Sequence, residues 1–144
     1  TSVDDSDTPI AEYCQQHGVA CYRGSLTNVA GRFKEVLDKY QFDGFVRING
    51  DSPLLGQRLI EKGIGIFLNG DFDLATNALP RTYQKGQSVE VLLTATYQKI
   101  YERMQEAEDL EHVTRFFHKH PEDFRIQNFT LTENQNHMQL FVDT

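Results

Sequence analysis

The sequence lacks long apolar runs and has few basic residues. None of its apolar runs approaches the ~20 residues with which a helix crosses a bilayer, and no segment resembles a signal peptide. Lys and Arg number 14 against 21 Asp and Glu, which gives a net charge of −7. A general nucleic-acid binder needs a basic face, so this balance argues against one. We therefore expect a cytoplasmic protein that binds neither membranes nor nucleic acid.

Cysteine is also scarce, because Cys14 and Cys21 are the only two. Two cysteines in a chain of this size do not make a disulfide scaffold. They lack a neighbouring Cys or His pair at the spacing of a zinc motif. We expect both to be reduced thiols in or near the core.

Helical periodicity and short apolar runs alternate along the 144 residues, a length typical of one domain. Such alternation indicates α/β layers with a mostly parallel sheet. Helices are predicted from Thr8 to Gly18, over 28–40, over 53–70, from about Thr94 to about Glu108, and over 109–120. Strands are predicted at "VACY" (19–22), "FDGFVRI" (42–48), "DFDLATN" (71–77), "SVEVLL" (88–93), "FRIQNFTL" (124–131) and "MQLFVD" (138–143).

Two carboxylates follow predicted strands, Asp51 in "FVRINGDSPLL" and Asp143 in "LFVDT". Ligands of open α/β sheets collect beyond the carboxyl ends of the strands. Two carboxylates there could hold Mg²⁺, which takes a few carboxylates together with phosphate oxygens. The alternative is that both residues are helix N-caps, which composition alone favours because caps are common.

Three further stretches contain polar or charged groups that are candidates for a functional role, and the first of them suits an anionic or polar ligand. "YRGS" (22–25) places Arg23 and Ser25 in a loop, although a turn with a surface arginine explains it equally well. "PRTYQKGQSVEV" (80–91) concentrates Arg81 and Lys85 ahead of a strand with Glu90, and could be a substrate-facing arm or an ordinary hairpin. In "LEHVTRFFHKH" the histidine spacing does not fit a helical zinc site, and His112 stands beside Glu111.

The order of these motifs resembles the cytidylyltransferase family, in particular its spore-coat polysaccharide branch, which is related to the enzymes that make CMP-sialic acid and CMP-Kdo. The resemblance rests on "DDSDTPIAEYCQQHGV", "YRGSLTNVAGRF", "FDGFVRINGDSPLL", "DFDLATNALPRTYQKGQSVEV", "LEHVTRFF" and "LFVDT", so it covers nearly the whole chain. It implies a Rossmann-like nucleotide-diphospho-sugar transferase fold over a single, partial domain, 1–144. It also implies transfer of a cytidylyl group from CTP to an acidic or modified sugar, with release of pyrophosphate.

The resemblance also assigns roles to individual residues. Asp51 and Asp143 match the family's metal-binding aspartates, which implies Mg²⁺ as the cofactor. The other matching positions are implied to contact the nucleotide-sugar substrate: Arg23, Ser25, Arg47, Asn49, Arg81, Lys85, Glu90, Glu111 and His112.

Enzymes of this family begin with a strand and a Gly/Arg/Lys-rich loop that holds CTP, and this sequence starts after that point. The resemblance therefore implies a fold truncated at both ends, whose nucleotide or sugar binding is weak or lost and which is inactive alone. An exposed sheet edge would favour association, so we expect a homo-oligomer, a dimer in the first instance. The alternative is a non-catalytic oligomeric or binding module that reuses part of the fold.

Overall fold

The computed structural model describes residues 1–142 as a mixed α/β structure. The chain divides into two compact units. Unit 1 consists of Thr1–Phe42 and Tyr97–Lys119, and unit 2 of Asp43–Thr96 and His120–Thr144, of which residues up to 142 are described. The helices are α1 (Thr8–Gln16), α2 (Val29–Tyr40), α3 (Gln57–Leu68), α4 (Thr94–Tyr101), α5 (Ala107–Glu111) and α6 (Arg115–Lys119). The strands are β1 (Gly44–Arg47), β2 (Leu74–Thr76), β3 (Glu90–Leu93) and β4 (Ile126–Asn128).

Unit 1 is helical and packs around the amphipathic helix α2. Asn28 caps α2, since its side-chain Oδ1 accepts a hydrogen bond from the Gly31 backbone N–H at 2.7 Å. The Asn28 Nδ2 also donates to the hydroxyl of Tyr101 at 2.8 Å, and the buried Tyr97 hydroxyl donates to the Ala30 carbonyl at 3.1 Å. These two bonds tie the start of α2 to the end of α4.

Unit 2 contains the sheet, in which the four strands lie in the order β1-β3-β2-β4. Strand β3 is antiparallel to both β1 and β2, and β4 is parallel to β2. Three of the four described strands therefore run in one direction, as the predicted mostly parallel sheet requires, and β3 runs against them. It follows that β1, β2 and β4 all present their carboxyl ends at the same edge, which we call the carboxyl edge.

Helix α3 covers one face of this sheet. Its Leu59, Ile60 and Ile64 pack against a core that includes Val89 and Phe129. Gly63 of α3 is buried, and a Cβ there would come within 2.7 Å of Val89 Cγ1. The glycine lets α3 approach β3 closely, which explains a residue that is otherwise unfavourable inside a helix.

Four predicted elements differ from the structure. The helix predicted over 109–120 is two short helices, α5 and α6, which residues 112–114 separate. "VACY" is not a strand, because residues 19–21 are exposed and only an isolated bridge between Ser2 and Gly24 forms nearby. The helix predicted to reach Glu108 ends at Tyr101, and α5 begins separately at Ala107. The described part of "MQLFVD" is not a strand either, although Gln139 makes an isolated parallel bridge with Lys85.

The cysteines also differ from expectation, in their burial. Cys14 is half-buried and Cys21 is exposed, so the prediction of two core or near-core thiols is wrong for Cys21. Both are free thiols, as predicted. Among the described residues, the helices are too short or too polar to cross a membrane.

Candidate functional site

A pocket of about 330 Å³ lies within unit 2 among the loops that leave the carboxyl edge of the sheet. The loop after β1, the loop between β2 and β3, and the segment after β4 all contribute to it. Its lining residues are Asn49, Asp51, Ser52, Arg81, Lys85, Gly86, Ser88 and Phe141. Four residues assigned to the site from the sequence, Asn49, Asp51, Arg81 and Lys85, are thus brought together from two separate loops.

The loop after β1 holds Asp51 in a turn outside the sheet. The Ser52 backbone N–H donates to the Asn49 carbonyl at 3.3 Å, and the Ser52 hydroxyl donates to Asp51 Oδ1 at 2.9 Å. Ser52 is buried while Asp51 is exposed, so the serine anchors the turn and leaves the carboxylate accessible. Helix α3 begins at Gln57 with Gly56 as its N-cap, and the interpretation of Asp51 as a helix cap is therefore wrong.

The loop between β2 and β3 supplies the positive charge. The Arg81 guanidinium donates from Nη1 to the Ser88 hydroxyl at 2.7 Å, which fixes one edge of its planar group. Lys85 is exposed, and its backbone N–H donates to the Met138 carbonyl at 2.9 Å. A guanidinium and an ammonium on one wall of a pocket suit phosphate or carboxylate oxygens.

The segment after β4 closes the pocket on its remaining side. The Leu140 N–H donates to the Lys85 carbonyl at 2.8 Å, and the Val142 N–H donates to the Asp51 carbonyl at 2.8 Å. This one segment is therefore hydrogen-bonded to both of the other loops. Asp143, the second predicted metal ligand, follows it in sequence and lies outside the described residues.

The pocket offers few of the donors that a magnesium ion needs. Asp51 and Asn49 provide oxygen ligands, which are the kind that Mg²⁺ prefers. Among residues 1–142 there is no group of three or more His, Cys, Asp or Glu side chains that could hold a metal. One carboxylate with one amide fits an ion whose other ligands are water and substrate phosphate oxygens, which is common for Mg²⁺. The described donors do not make a complete metal cage.

Arg47 and Glu90, both assigned to the substrate from the sequence, form an ion pair instead of lining the pocket. They face each other across β1 and β3, and Arg47 Nη1 lies 2.5 Å from Glu90 Oε2. Glu90 is only 3% exposed, and the Arg47 guanidinium compensates its buried negative charge within the sheet. The pair lies at the carboxyl edge, immediately before the loop that carries Asp51.

Arg23, Ser25, Glu111 and His112 belong to unit 1. Arg23 donates to the carbonyls of Ser2 and Asp4 at 2.9 Å each, and thereby holds the N-terminal segment. The Ser25 hydroxyl accepts from the Asn28 N–H at 3.0 Å, next to the start of α2. These contacts are structural, and a role in substrate binding stays a prediction for both residues.

Glu111 and His112 are exposed at the end of α5. The His112 backbone N–H donates to the Glu108 carbonyl at 2.9 Å and closes the last turn of that helix. Their assignment to the substrate likewise stays a prediction.

Sequence reasoning missed four lining residues, Ser52, Gly86, Ser88 and Phe141. Ser52 adjoins Asp51, and Ser88 lies two residues before Glu90, and these nearby positions were the only signal for them. Gly86 could have been noticed as a glycine within the basic stretch. Phe141 looks like an ordinary strand residue, so only the tertiary fold brings it to the pocket.

Comparison with known proteins gives a consistent result. A family model described as Cytidylyltransferase matches residues 1–144. The Uncharacterized protein MJ1063 of Methanocaldococcus jannaschii is 32% identical over 126 residues, which are 88% of this chain and 51% of that protein. The Spore coat polysaccharide biosynthesis protein SpsF of Bacillus subtilis is 26% identical over 132 residues, 88% of this chain and 52% of that protein. The chain thus spans about half the length of these curated relatives.

A solved structure shares the fold. It is described as a cytidylyltransferase from Leptospira borgpetersenii serovar Hardjo-bovis, and it superimposes with a TM-score of 0.94 at 23% sequence identity. The match covers 100% of this chain and 61% of the other. The α/β arrangement described above is therefore a nucleotidyltransferase-like fold.

Proposed function

Since the chain belongs to the cytidylyltransferase family, we propose that it serves the transfer of a cytidylyl group from CTP to an acidic or modified sugar, with release of pyrophosphate, and that alone it binds these ligands weakly without completing the transfer. The observation that supports this proposal is the pocket at the carboxyl edge. It gathers a carboxylate, an amide and two cationic side chains at the place where open α/β sheets collect their ligands. The likeness to SpsF favours a sugar destined for a surface polysaccharide.

In this proposal the two sides of the pocket have different tasks. Arg81 and Lys85 bind the anionic oxygens of the sugar or of the phosphate, and the bond from Arg81 to Ser88 restricts the direction in which the guanidinium can donate. Asn49 adds a neutral amide that can bond a sugar hydroxyl. The bond to Ser88 holds the Arg81 guanidinium in place before the ligand arrives, and such preorganisation is the main contribution of a protein to phosphoryl transfer.

Asp51, with Asp143 from the end of the chain, would hold Mg²⁺ in this proposal. The ion would neutralise the negative charge that develops on the phosphate oxygens. Asp51 presents an exposed carboxylate to the ion, and the Ser52 hydroxyl orients that carboxylate by donating to Oδ1. The Val142 bond to the Asp51 carbonyl keeps the turn against the final segment of the chain.

Isothermal titration with sugar acids tests the cationic side of the pocket. We expect N-acetylneuraminate or Kdo, titrated together with CMP and Mg²⁺, to bind to the wild-type chain. Binding should weaken about tenfold in Lys85→Ala and in Arg81→Ala, because each removes a charge-assisted hydrogen bond.

Arg58→Ala is the matched control, because Arg58 is an exposed cation of the same unit that does not line the pocket. It should bind as the wild type does. The proposed role of this pocket would be contradicted if Lys85→Ala and Arg81→Ala bound as tightly as Arg58→Ala. It would also be contradicted if the wild type bound neither sugar acid. The second result would favour a module that keeps the fold without its ligand.

A further inference from the structure

Two buried side-chain amides, Asn77 and Gln87, connect the loops of the pocket, although neither lines it. Asn77 is 0% exposed and Gln87 is 9% exposed. Together they make four hydrogen bonds to backbone groups of two segments, residues 54–56 and residues 87–89. We call these two residues the Asn77–Gln87 brace.

Asn77 closes the loop between β2 and β3 at its base. It follows β2 directly, and its Nδ2 donates to the Gln87 carbonyl at 2.7 Å. Its Oδ1 accepts from the Val89 backbone N–H at 2.9 Å. Because both ends of the amide are used, the two ends of the loop that carries Arg81, Lys85 and Ser88 are held at a fixed separation.

Gln87 extends this connection to the loop after β1. Its Nε2 donates to the Leu54 carbonyl at 2.8 Å, and its Oε1 accepts from the Gly56 N–H at 3.3 Å. Gly56 is the N-cap of α3, so Gln87 also occupies a polar group at the start of a helix. Leu54 and Gly56 lie just after the turn that presents Asp51. The brace therefore links the loop after β1, which carries the carboxylate, to the loop between β2 and β3, which carries the cations.

We propose that the Asn77–Gln87 brace is a positioning device, which sets the distance between the Asp51 carboxylate and the cationic side chains of Arg81 and Lys85. The brace itself does not touch the ligand. Two buried amides with two directed bonds each form a rigid connection, since breaking any bond leaves a buried polar group unsatisfied. The inference rests on the proposed function only in taking this pocket as the ligand site.

The alternative is that the brace only stabilises unit 2. The two explanations differ in what happens to a chain that remains folded. A positioning role predicts weaker binding at temperatures where the variant is fully folded. A purely stabilising role predicts a lower melting temperature with unchanged affinity.

The experiment compares Gln87→Ala and Gln87→Glu with Asp73→Asn. Gln87→Glu keeps the acceptor for Gly56 and loses the donor to Leu54. Asp73 is buried immediately before β2, whereas Asn77 of the brace comes immediately after β2, at the opposite end of that strand. Asp73→Asn therefore serves as a destabilised control with an unaltered pocket. Binding of Mg²⁺–CTP is measured by titration, and the backbone amide shifts of the pocket are recorded by NMR without ligand.

We expect Gln87→Ala to bind about tenfold more weakly and Asp73→Asn to keep its affinity. Gln87→Glu should bind no better than Gln87→Ala, because its carboxylate would be buried against the Leu54 carbonyl. In the unliganded spectrum of Gln87→Ala, the amides of Asp51 and Lys85 should both shift. Unchanged affinity together with unshifted amides in a folded Gln87→Ala would overturn the inference. If the wild type binds no Mg²⁺–CTP, the proposed function fails, and the amide shifts alone then decide whether the brace sets the pocket.

Discussion

Gly86 lines the pocket in a backbone conformation that suits glycine. Its φ is +92°, a conformation that residues with a side chain rarely adopt. A Cβ at this position would lie 2.7 Å from the Leu140 carbonyl carbon and 2.8 Å from the Phe141 nitrogen. Only glycine lets the loop between β2 and β3 and the segment after β4 approach each other so closely.

Gly86→Ala should therefore destabilise unit 2 by about 2 kcal/mol or more, through backbone strain and displacement of the final segment. The free energy of unfolding in urea is the measurement. Gly65→Ala is the matched control, because its Cβ would have open space in the middle of α3. There the same substitution should stabilise by about 0.5–1 kcal/mol. Equal stability of Gly86→Ala and the wild type would refute the close approach described here.

Part of the site could be predicted at the residue scale. Asn49, Asp51, Arg81 and Lys85 carry charge or an amide in loops next to apolar strands, and that pattern is visible in a single sequence. Arg47 and Glu90 carry the same kind of signal, but the strand register pairs them with each other. Register is a property of two segments 43 residues apart, and charge alone cannot distinguish a cross-strand partner from a ligand contact.

Asp73 and Arg125 join β2 and β4 at the amino ends of these two parallel strands. Arg125 Nε donates to Asp73 Oδ2 at 3.0 Å, and the Arg125 backbone N–H donates to the same oxygen at 3.0 Å. Thr96 adds a bond to Oδ1. The bond from Arg125, followed by those from Thr96 and the Arg125 backbone, lowers the pKa of Asp73 from 3.8 to about 2 against the opposing effect of burial.

Asp73 should make unit 2 sensitive to acid. Because the pKa of Asp73 is lower in the folded chain, the unfolded chain takes up the proton first as the pH falls. The stabilisation, about 2 kcal/mol, is present above about pH 4 and is lost as the pH approaches 2. Urea unfolding of the wild type and Asp73→Asn measures it. The difference in stability should be largest near neutral pH and shrink below about pH 4, whereas a difference independent of pH would rule out this assignment.

At the scale of elements, long apolar or periodic segments were predictable, and β1, β2, β3 and β4 all fall within predicted strands. Short apolar runs were not reliable. "VACY" has the composition of a strand, but its first three residues are exposed and no neighbouring strand pairs with it in the described residues. The helix predicted beyond Tyr101 ends there, where residues 102 and 103 form a turn and 104–106 continue without regular structure to α5. Pairing and chain reversal depend on partners that the local sequence does not reveal.

For the whole molecule, the family resemblance read from ordered motifs is confirmed by the match over residues 1–144. The nucleotidyltransferase-like fold is confirmed as well. The direction of β3, opposite to the other strands, was not predicted, because one sequence does not show which strands become neighbours. Association into a homodimer stays a prediction. The polar residues of the three loops meet at the carboxyl edge because β1, β2 and β4 run in one direction.

The most direct test of the central claim is magnesium-dependent binding at Asp51. CTP is titrated into the wild-type chain, Asp51→Asn and Asp43→Asn, with Mg²⁺ at about 5–10 mM, the order of typical weak sites, and again with EDTA. Asp43 is an exposed carboxylate of the same unit outside the pocket, which makes it the matched control. We predict binding to the wild type and to Asp43→Asn that EDTA removes, and a loss of binding in Asp51→Asn. Equal binding in Asp51→Asn, or no binding to the wild type with Mg²⁺ present, would contradict the account.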